Sequence, residues 1–242
     1  MRAPLSVIVP TLNSSDDLSK LSASLFEGVQ SGLIRELIIS DCGSSDGTSE
    51  LAGRLGAEIV ISKRGRGSQL AAGARVAGGD WLLFLHADTV LSDGWVDDAE
   101  RHMQNDSGNA AYFKLRFSAG GLSAAWFAGW ANLRSVAFGL PYGDQGLLIP
   151  RKLYDSIGGY REIELFEDVE MARALKGKLK MLRSRAISDP RRYLEEGWLV
   201  RGACNLMILT KYFIGVPPDQ LARSYYRQRQ SSLAKRPPTG IQ

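Results

Sequence analysis

From Leu5 to Leu85 the chain alternates short apolar runs with helix-spaced segments, joined by loops of a few residues. No other feature limits the fold as strongly. Leu5–Val9 is a β-branched run that ends at Pro10. Ser15–Gln30 repeats apolar residues at Leu18, Leu21, Leu25 and Val29, which is a helical period. Glu36–Ser40 reads as a second strand, Ser49–Leu55 as a short helix stopped by Gly56, and Glu58–Ile61 as a third strand. Ser68–Ala77 is an Ala-rich helix closed by Gly78 and Gly79, and Asp80–Leu85 is a fourth strand. Strands alternating with helices in this way imply an α/β fold, with a mostly parallel sheet covered by helices on both faces.

The second half is less regular. Ala110–Phe117 alternates like a strand, and Leu122–Phe138 is helical and rich in aromatics. Gln145–Ile149 is a strand candidate, followed by a short helix at Lys152–Ile157 and an amphipathic one at Glu167–Gly177. Met181–Ser188 reads as a strand and Arg191–Tyr212 as helix, ended by Pro217 and Pro218. No internal repeat is visible. The expected organisation is one domain over residues 1–230, with a ligand-binding half (1–117), a second half with C-terminal helices (118–230), and a loose tail at 231–242.

The 242 residues suffice for one well-buried core. A net charge of +4 is too mild to argue for nucleic acid as a partner, although basic residues crowd between Arg173 and Arg201. That crowding suits a solvated face or a phosphate or membrane contact. The two cysteines, Cys42 and Cys204, make no disulfide framework, and no secretory signal precedes the first strand, so a cytoplasmic location is expected. Trp198–Val216 is the best candidate for a membrane span, but Arg201, Asn205 and Lys211 interrupt it well short of the ~20 apolar residues a bilayer needs. It reads as an amphipathic helix packed on the core, with peripheral contact on the inner membrane face as the alternative.

Five residues, Trp81–Leu85, run straight into His86-Ala87-Asp88-Thr89. A buried strand ending in an acid puts that acid at the carboxyl edge of the sheet, where open α/β sheets bind ligands. A carboxylate there can hold a divalent cation against a phosphate. Three other segments join it. Val9-Pro10-Thr11-Leu12-Asn13 opens a polar loop before a helix, suited either to an anion or to a plain helix cap. Asp41 ends the second strand, positioned for a ribose or base, whereas Asp46-Gly47 fits a turn and cap. Lys63-Arg64-Gly65-Arg66-Gly67-Ser68-Gln69 interleaves glycine and arginine before a helix, a pattern that suits a diphosphate and is also common in solvated turns. Glu167-Asp168 starts a helix, either as dipole partners or as a general base.

The segments VIVPTLN, ISDCGSSDGT, GRGSQLAAGARVAGGDWLLFLHADT and FEDVE, in that order and spacing, resemble glycosyltransferase family 2, the inverting GT-A group. The resemblance runs from about Leu5 to Arg201 and is nearest to a small single-domain subgroup with HADT and GDQG motifs, the latter within Tyr142–Gly146. It implies a GT-A, Rossmann-like fold and a hexosyltransferase-like enzyme. Such an enzyme moves a sugar from a nucleoside-diphosphate sugar to a hydroxyl on a saccharide, lipid or small molecule, with Mn²⁺ or Mg²⁺ as cofactor. By the resemblance Asp88 would bind the metal, with His86 beside it on the same ion or phosphate. Asp168 would be the catalytic base, with Glu167 next to it. Pro10, Thr11, Asn13, Asp41, Arg66, Gln69, His86 and Ala87 would line the donor site.

The chain departs from the family pattern twice. His86 replaces the first acid of the metal motif, and Cys42 stands where many members have an acid that reads uracil, so UDP, GDP and dTDP donors all stay open. The resemblance further implies that the base takes a proton from the acceptor hydroxyl, which attacks the anomeric carbon opposite the leaving diphosphate and inverts it.

Outside those motifs, Asp144 and Gln145 are candidate ligands for acceptor or sugar hydroxyls, or else a structural turn. Trp126, Trp130 and Tyr142 are candidates for an apolar wall, although helix-spaced aromatics usually pack in a core. His102 reads as a surface residue. Two rival functions are a nucleotidyltransferase and a non-catalytic nucleotide-sugar-binding protein. The first suffers from the lack of a positive charge in Pro10–Ser14, where a triphosphate would sit.

Overall fold

The computed structural model describes residues 3–223; the tail expected at 231–242 lies outside them. In chain order the first half is β1 (Leu5–Thr11), α1 (Ser15–Gln30), β2 (Ile34–Asp41), α2 (Thr48–Arg54), β3 (Glu58–Ile61), α3 (Arg66–Val76), β4 (Trp81–Phe84), β5 (Thr89–Leu91) and α4 (Trp95–Asn105). The second half is β6 (Ala110–Phe117), α5 (Leu122–Phe138), a 3-10 turn at Gly143–Gln145, β7 (Leu147–Pro150), α6 (Arg151–Ser156), α7 (Glu167–Ala174), β8 (Leu179–Ser188), α8 (Arg191–Glu196) and α9 (Trp198–Phe213). The strands form one eight-stranded sheet in the order β3-β2-β1-β4-β7-β6-β8-β5.

The parallel part is β3-β2-β1-β4, built from the alternating half of the sequence. Side chains along these strands alternate between the two faces, as the two-residue period requires. Val7, Val9, Ile39 and Leu83 join one core with Leu18, Leu21 and Leu25 of α1 and Trp95 of α4. Ile8, Ile38, Leu82 and Phe84 join the other with Leu70 and Ala74 of α3 and Met171 of α7. The chain thus covers both faces of the sheet, as the alternation predicts. Pro10 fits this central strand because the Ile8 carbonyl accepts from Leu85 on the β4 side and the Thr11 carbonyl accepts from Cys42 on the β2 side. Alternation turns the missing Pro10 N–H toward β4, beyond the last paired residue, Ile8.

Beyond β4 the sheet is mixed. β7 is antiparallel to β4, with Leu147 opposite Phe84, and β6 is antiparallel to β7. β8 is parallel to β6, and β5 is antiparallel to β8, with Thr89 opposite Ser188. These reversals bring the start of β7 and the end of β8 to the edge where β1, β2 and β4 end.

Several expectations need correction. β5 is a strand the sequence does not signal, and α4 extends the helix–loop region expected around His102 over Trp95–Asn105. α4 buries Trp95, Val96, Ala99 and His102, a helical spacing within a mostly polar stretch. His102 is therefore a core residue: its ring meets Trp81 edge-on and its Nε2 lies 3.0 Å from the Asn109 carbonyl. The Arg191–Tyr212 helix is two helices, broken at Gly197, whose φ of 87° stops α8. The core packing expected for Trp198–Val216 holds for one side: Ile208 and Tyr212 are buried and Trp198, Leu209 and Val216 pack against the core, whereas Leu199, Val200, Leu206, Met207, Phe213 and Ile214 are exposed. Trp126 and Trp130 of α5 also face outward.

Candidate active site

The carboxyl ends of β1, β2 and β4 set the floor of the site. Thr11 and Asp41 are direct neighbours across the β1–β2 ladder. The Thr11 hydroxyl donates to Asp41 at 2.8 Å, and Asp41 also accepts from the Gly43 and Ser44 backbone and the Ser44 hydroxyl. A carboxylate offers about four lone-pair positions, so these four donors saturate it. Burial pushes the Asp41 pKa up, but the Ser44 and Thr11 hydroxyls and the Gly43 and Ser44 N–H groups outweigh it and hold the acid below its ordinary value. These contacts give Asp41 a loop-shaping role at the end of β2. Asn13, in the left-handed region with φ of 51°, accepts from the Ser45 N–H at 2.9 Å, and Asp46 accepts from the Ser15 and Thr48 N–H groups. The amide of Gln69 is buried and donates to the Thr11 and Ser40 carbonyls at 2.8 and 2.9 Å, tying α3 to β1 and β2. The first two loops are held by their own side chains.

The glycine-arginine loop also differs from expectation. A Cβ on Gly67 would lie 2.1 Å from the Arg161 carbonyl, and the Gly67 N–H donates to the Ile163 carbonyl at 3.3 Å. The close backbone approach that this glycine permits is to residues 161–163 of the chain itself. That contact sets Arg66, the first residue of α3, beside α7.

After β4 the chain turns tightly, with the Thr89 N–H donating to the His86 carbonyl at 3.1 Å. Ala87 tucks into the core and offers only its backbone. Asp88 is half-buried. Burial pushes its pKa up and Asp17 adds to this, while Arg66 and Arg192 pull it down. Arg66 and Arg192 also act on His86, which burial and these two cations hold well below its ordinary pKa and therefore neutral. His86 Nε2 is buried with no hydrogen-bond partner among the described residues. It faces Gly143, where a Cβ would come within 2.4 Å of it.

The antiparallel return of β7 brings Tyr142, Gly143 and Asp144 to this edge. Tyr142 lies under the Arg134 guanidinium, 3.4 Å from ring centroid to carbon. Burial raises its hydroxyl to about 12. Asp144 is pushed to about 6 by burial, with Asp168 and Asp88 adding repulsion and Arg134 and Arg66 opposing it. Its Oδ1 is buried without a partner among the described residues. Gln145 points the other way. Its amide accepts from Ser135 at 2.6 Å and donates to the Phe113 carbonyl at 3.2 Å and to Asn132 at 3.3 Å, so it ties α5 to β6.

Glu167 and Asp168 begin α7 after Phe166, whose φ of 69° is rare for a large residue and marks a backbone held by its surroundings. Glu167 is buried. Burial and then the Asp168 charge raise it to about 7, against the pull of Arg66. Asp168 accepts from the Gly143 N–H at 2.9 Å and the Val169 N–H at 2.7 Å, which leaves lone pairs open on its carboxylate. A small cavity lined by His86, Tyr142, Gly143, Glu167, Asp168 and Tyr160 lies between α7 and the Tyr142–Gly146 loop.

Sequence reasoning missed Arg134 and Arg192. The signal for Arg192 was the basic crowding after Arg173. The β8–α8 turn delivers it to Asp88, where its neighbour Arg191 pairs with Asp17 and Asp189. Arg134 lay inside an aromatic helix and carried no signal.

Among the described residues, no three His, Cys, Asp or Glu side chains gather into a metal cage. The donor set still fits Mg²⁺ or Mn²⁺ of the kind that takes one or two protein ligands and the rest from phosphate and water. Asp88 supplies the carboxylate between two arginines. His86 supplies a neutral ring whose free nitrogen is turned to Gly143.

A sheet-edge site that gathers acids and arginines after parallel strands defines a nucleotide-using α/β enzyme. Residues 6–158 match the family model described as glycosyl transferase family 2, and the chain belongs to that family. The family is one of glycosyltransferases, not of nucleotidyltransferases. No curated protein matches the chain in sequence. Among solved structures it is similar to S. aureus TarS, with 18% identity and a TM-score of 0.60 over 90% of this chain. It is also similar to glucosyl-3-phosphoglycerate synthase from Mycobacterium tuberculosis crystallised with Mn²⁺, UDP-glucose and phosphoglyceric acid, with 20% identity and a TM-score of 0.58 over 88% of this chain and 80% of that one. Mannosyl-3-phosphoglycerate synthase from Rubrobacter xylanophilus matches with 19% identity and a TM-score of 0.56, over 84% of this chain and 74% of that one. The chain spans 41% of the length of TarS. These likenesses establish the GT-A glycosyltransferase fold.

Proposed function

We propose that this enzyme is an inverting, metal-dependent glycosyltransferase that moves a sugar from a nucleoside-diphosphate sugar to an acceptor hydroxyl, with Asp168 as general base. The observation that carries the reading is the meeting of Arg66 and Arg192 with Asp88 at the sheet edge, opposite the Glu167-Asp168 pair. The Mn²⁺, UDP and UDP-glucose in the similar synthase structures support a divalent cation and a nucleotide donor. Asp88, with His86 adjacent, would hold the cation, which when bound neutralises charge on the leaving diphosphate.

The chain's own residues do the rest. Arg66 and Arg192 orient the diphosphate and stabilise its charge as the anomeric bond to oxygen breaks. The Gly143 N–H fixes one oxygen of Asp168, so the carboxylate keeps a single orientation toward the pocket. Asp168 takes the acceptor proton as the hydroxyl oxygen bonds to the anomeric carbon. Attack on the face opposite the leaving group inverts that carbon. Asp144 and Tyr142 border the acceptor side.

The test is Asp168→Asn, which keeps shape and removes the charge that takes the proton. At saturating donor and acceptor, transfer falls about 10²–10⁴-fold while donor affinity by calorimetry is retained. Near-normal transfer by a folded variant overturns the assignment of the base.

A further inference from the structure

The outward faces of α5 and α9 have no role in the chemistry above. Leu122, Trp126, Trp130, Leu133 and Val136 recur on α5 at three- and four-residue spacing and are exposed, Leu122 at 91%. On α9, Leu199, Leu206 and Phe213 recur every seven residues and are exposed, with Met207 and, just past the helix end, Ile214 beside them; Leu199 is exposed at 78%. The two helices cross closely where Gly202 meets the Phe127 ring, a contact with no room for a Cβ. They therefore form adjoining walls, each with an apolar face left in water. Neither α5 nor α9 contains an Asp or Glu, whereas together they carry Arg134, Arg201 and Lys211. No described helix is long and apolar enough to cross a membrane.

The sequence that follows identifies the partner. From residue 220 to 242 there is no acid, and Arg223, Arg227, Arg229, Lys235 and Arg236 add five positive charges. This segment is too polar to cover the two faces itself, since residues 224–242 offer only Tyr225, Tyr226, Leu233 and Ile241 as large apolar groups. A second copy of the chain would satisfy the apolar side chains but would bring the same acid-free helices and basic segments together, stacking like charges. A surface that is apolar beneath a negatively charged layer satisfies both features. Tryptophan suits such a boundary because its ring is apolar and its N–H is polar.

We propose that the apolar faces of α5 and α9 dock this enzyme on an anionic lipid surface, the acid-free basic sequence from residue 220 onward matching the charge of such a surface. The same α5 sets Arg134 over Tyr142 and, on its buried face, Ser135 against Gln145. The proposal concerns binding alone and does not depend on the identity of the catalytic base.

The experiment is co-sedimentation of the full chain with vesicles of phosphatidylglycerol and phosphatidylcholine, against phosphatidylcholine alone. Binding to the anionic vesicles is expected to exceed binding to the neutral ones at least about 10-fold and to weaken as salt rises. Trp126→Ser with Leu199→Ser should lower the partition about 10-fold or more with the thermal melt unchanged, because both side chains are exposed. Arg227→Gln with Arg229→Gln should lower it on anionic vesicles alone. Equal partition into both vesicle types, or anionic binding unaffected by the Trp126 and Leu199 changes, overturns the proposal. So does a dimer in sedimentation velocity that these same changes dissociate, since the faces would then meet a second copy.

Discussion

Glu167 stores a measurable instability. It is buried, adjoins Asp168, and has its pKa raised from 4.5 to about 7, first by burial and then by its neighbour's charge. Glu167→Gln keeps the shape of the protonated acid and removes its ionisation. Below about pH 4 both the folded and unfolded wild-type chains hold the proton, and the two proteins should be equally stable. Between 4.5 and about 7 the unfolded chain releases its proton first, so wild-type stability falls as pH rises. Above about 7 the full penalty applies. At about 1.4 kcal/mol for each tenfold change in proton affinity, the ceiling is about 3 kcal/mol. For a chain of this length that corresponds to a melting temperature about 6–12 °C higher for the variant. Thermal and urea unfolding of both proteins from pH 4 to 9, with a chelator present, measures the difference directly. A difference that stays flat with pH, or a variant less stable than wild type at pH 8.5, refutes the reasoning, because the structure would then be favouring the ionised acid.

Asp88→Ala should remove the heat of Mn²⁺ binding measured by calorimetry in the presence of UDP, GDP or dTDP, and lower transfer by about 10²-fold or more; an unchanged metal dependence rejects Asp88 as the ligand. Gly67→Ala would force a methyl to within 2.1 Å of the Arg161 carbonyl. Overpacking of that kind costs about 1–3 kcal/mol, read as a lower urea midpoint, and a variant as stable as wild type would show that residues 161–163 yield freely.

The alternating half of the chain could be read because local and tertiary preferences agree there. α1, β3, β6 and α5 fall within the expected boundaries, as amphipathic spacing and β-branched runs dictate. β5 could not be read, since it is three residues long and gains strand geometry only by pairing with β8, far along the sequence. The extent of α4 and the burial of His102 could not be read because its apolar residues are sparse among charges. At the site, residue type marks Asp88, Arg66, Glu167 and Asp168 as candidates but does not reveal which polar groups are already engaged. Asp41, Gln69 and Gln145 look like ligands in the sequence, and each is used up by partners within the protein. Those partners lie far away in sequence for the two glutamines, and for Asp41 they depend on a loop shape that a linear pattern does not encode.

The reversal at β7 is what brings the second half of the chain to the sheet edge. With parallel strands alone, that edge would hold Thr11, Asp41 and Asp88. Because β7 enters antiparallel to β4 at Phe84–Leu147, the residues just before it arrive at the same edge from the other half of the chain. They carry Gly143, whose N–H holds Asp168, and Asp144, which feels both Asp88 and Asp168. The continuation through β6 and β8 then returns Arg192 to Asp88. Charges from both halves thus meet across a single strand boundary. That convergence has an energetic consequence. Asp144 and Glu167 are both displaced toward neutrality, at about 6 and about 7, because the fold crowds acids where burial already opposes charge. A core selected only for stability would replace such groups with apolar ones. Their presence at one sheet edge, within the electrostatic reach of arginines from α3, α5 and α8, is the pattern expected where a fold gives up stability to position charge for a reaction.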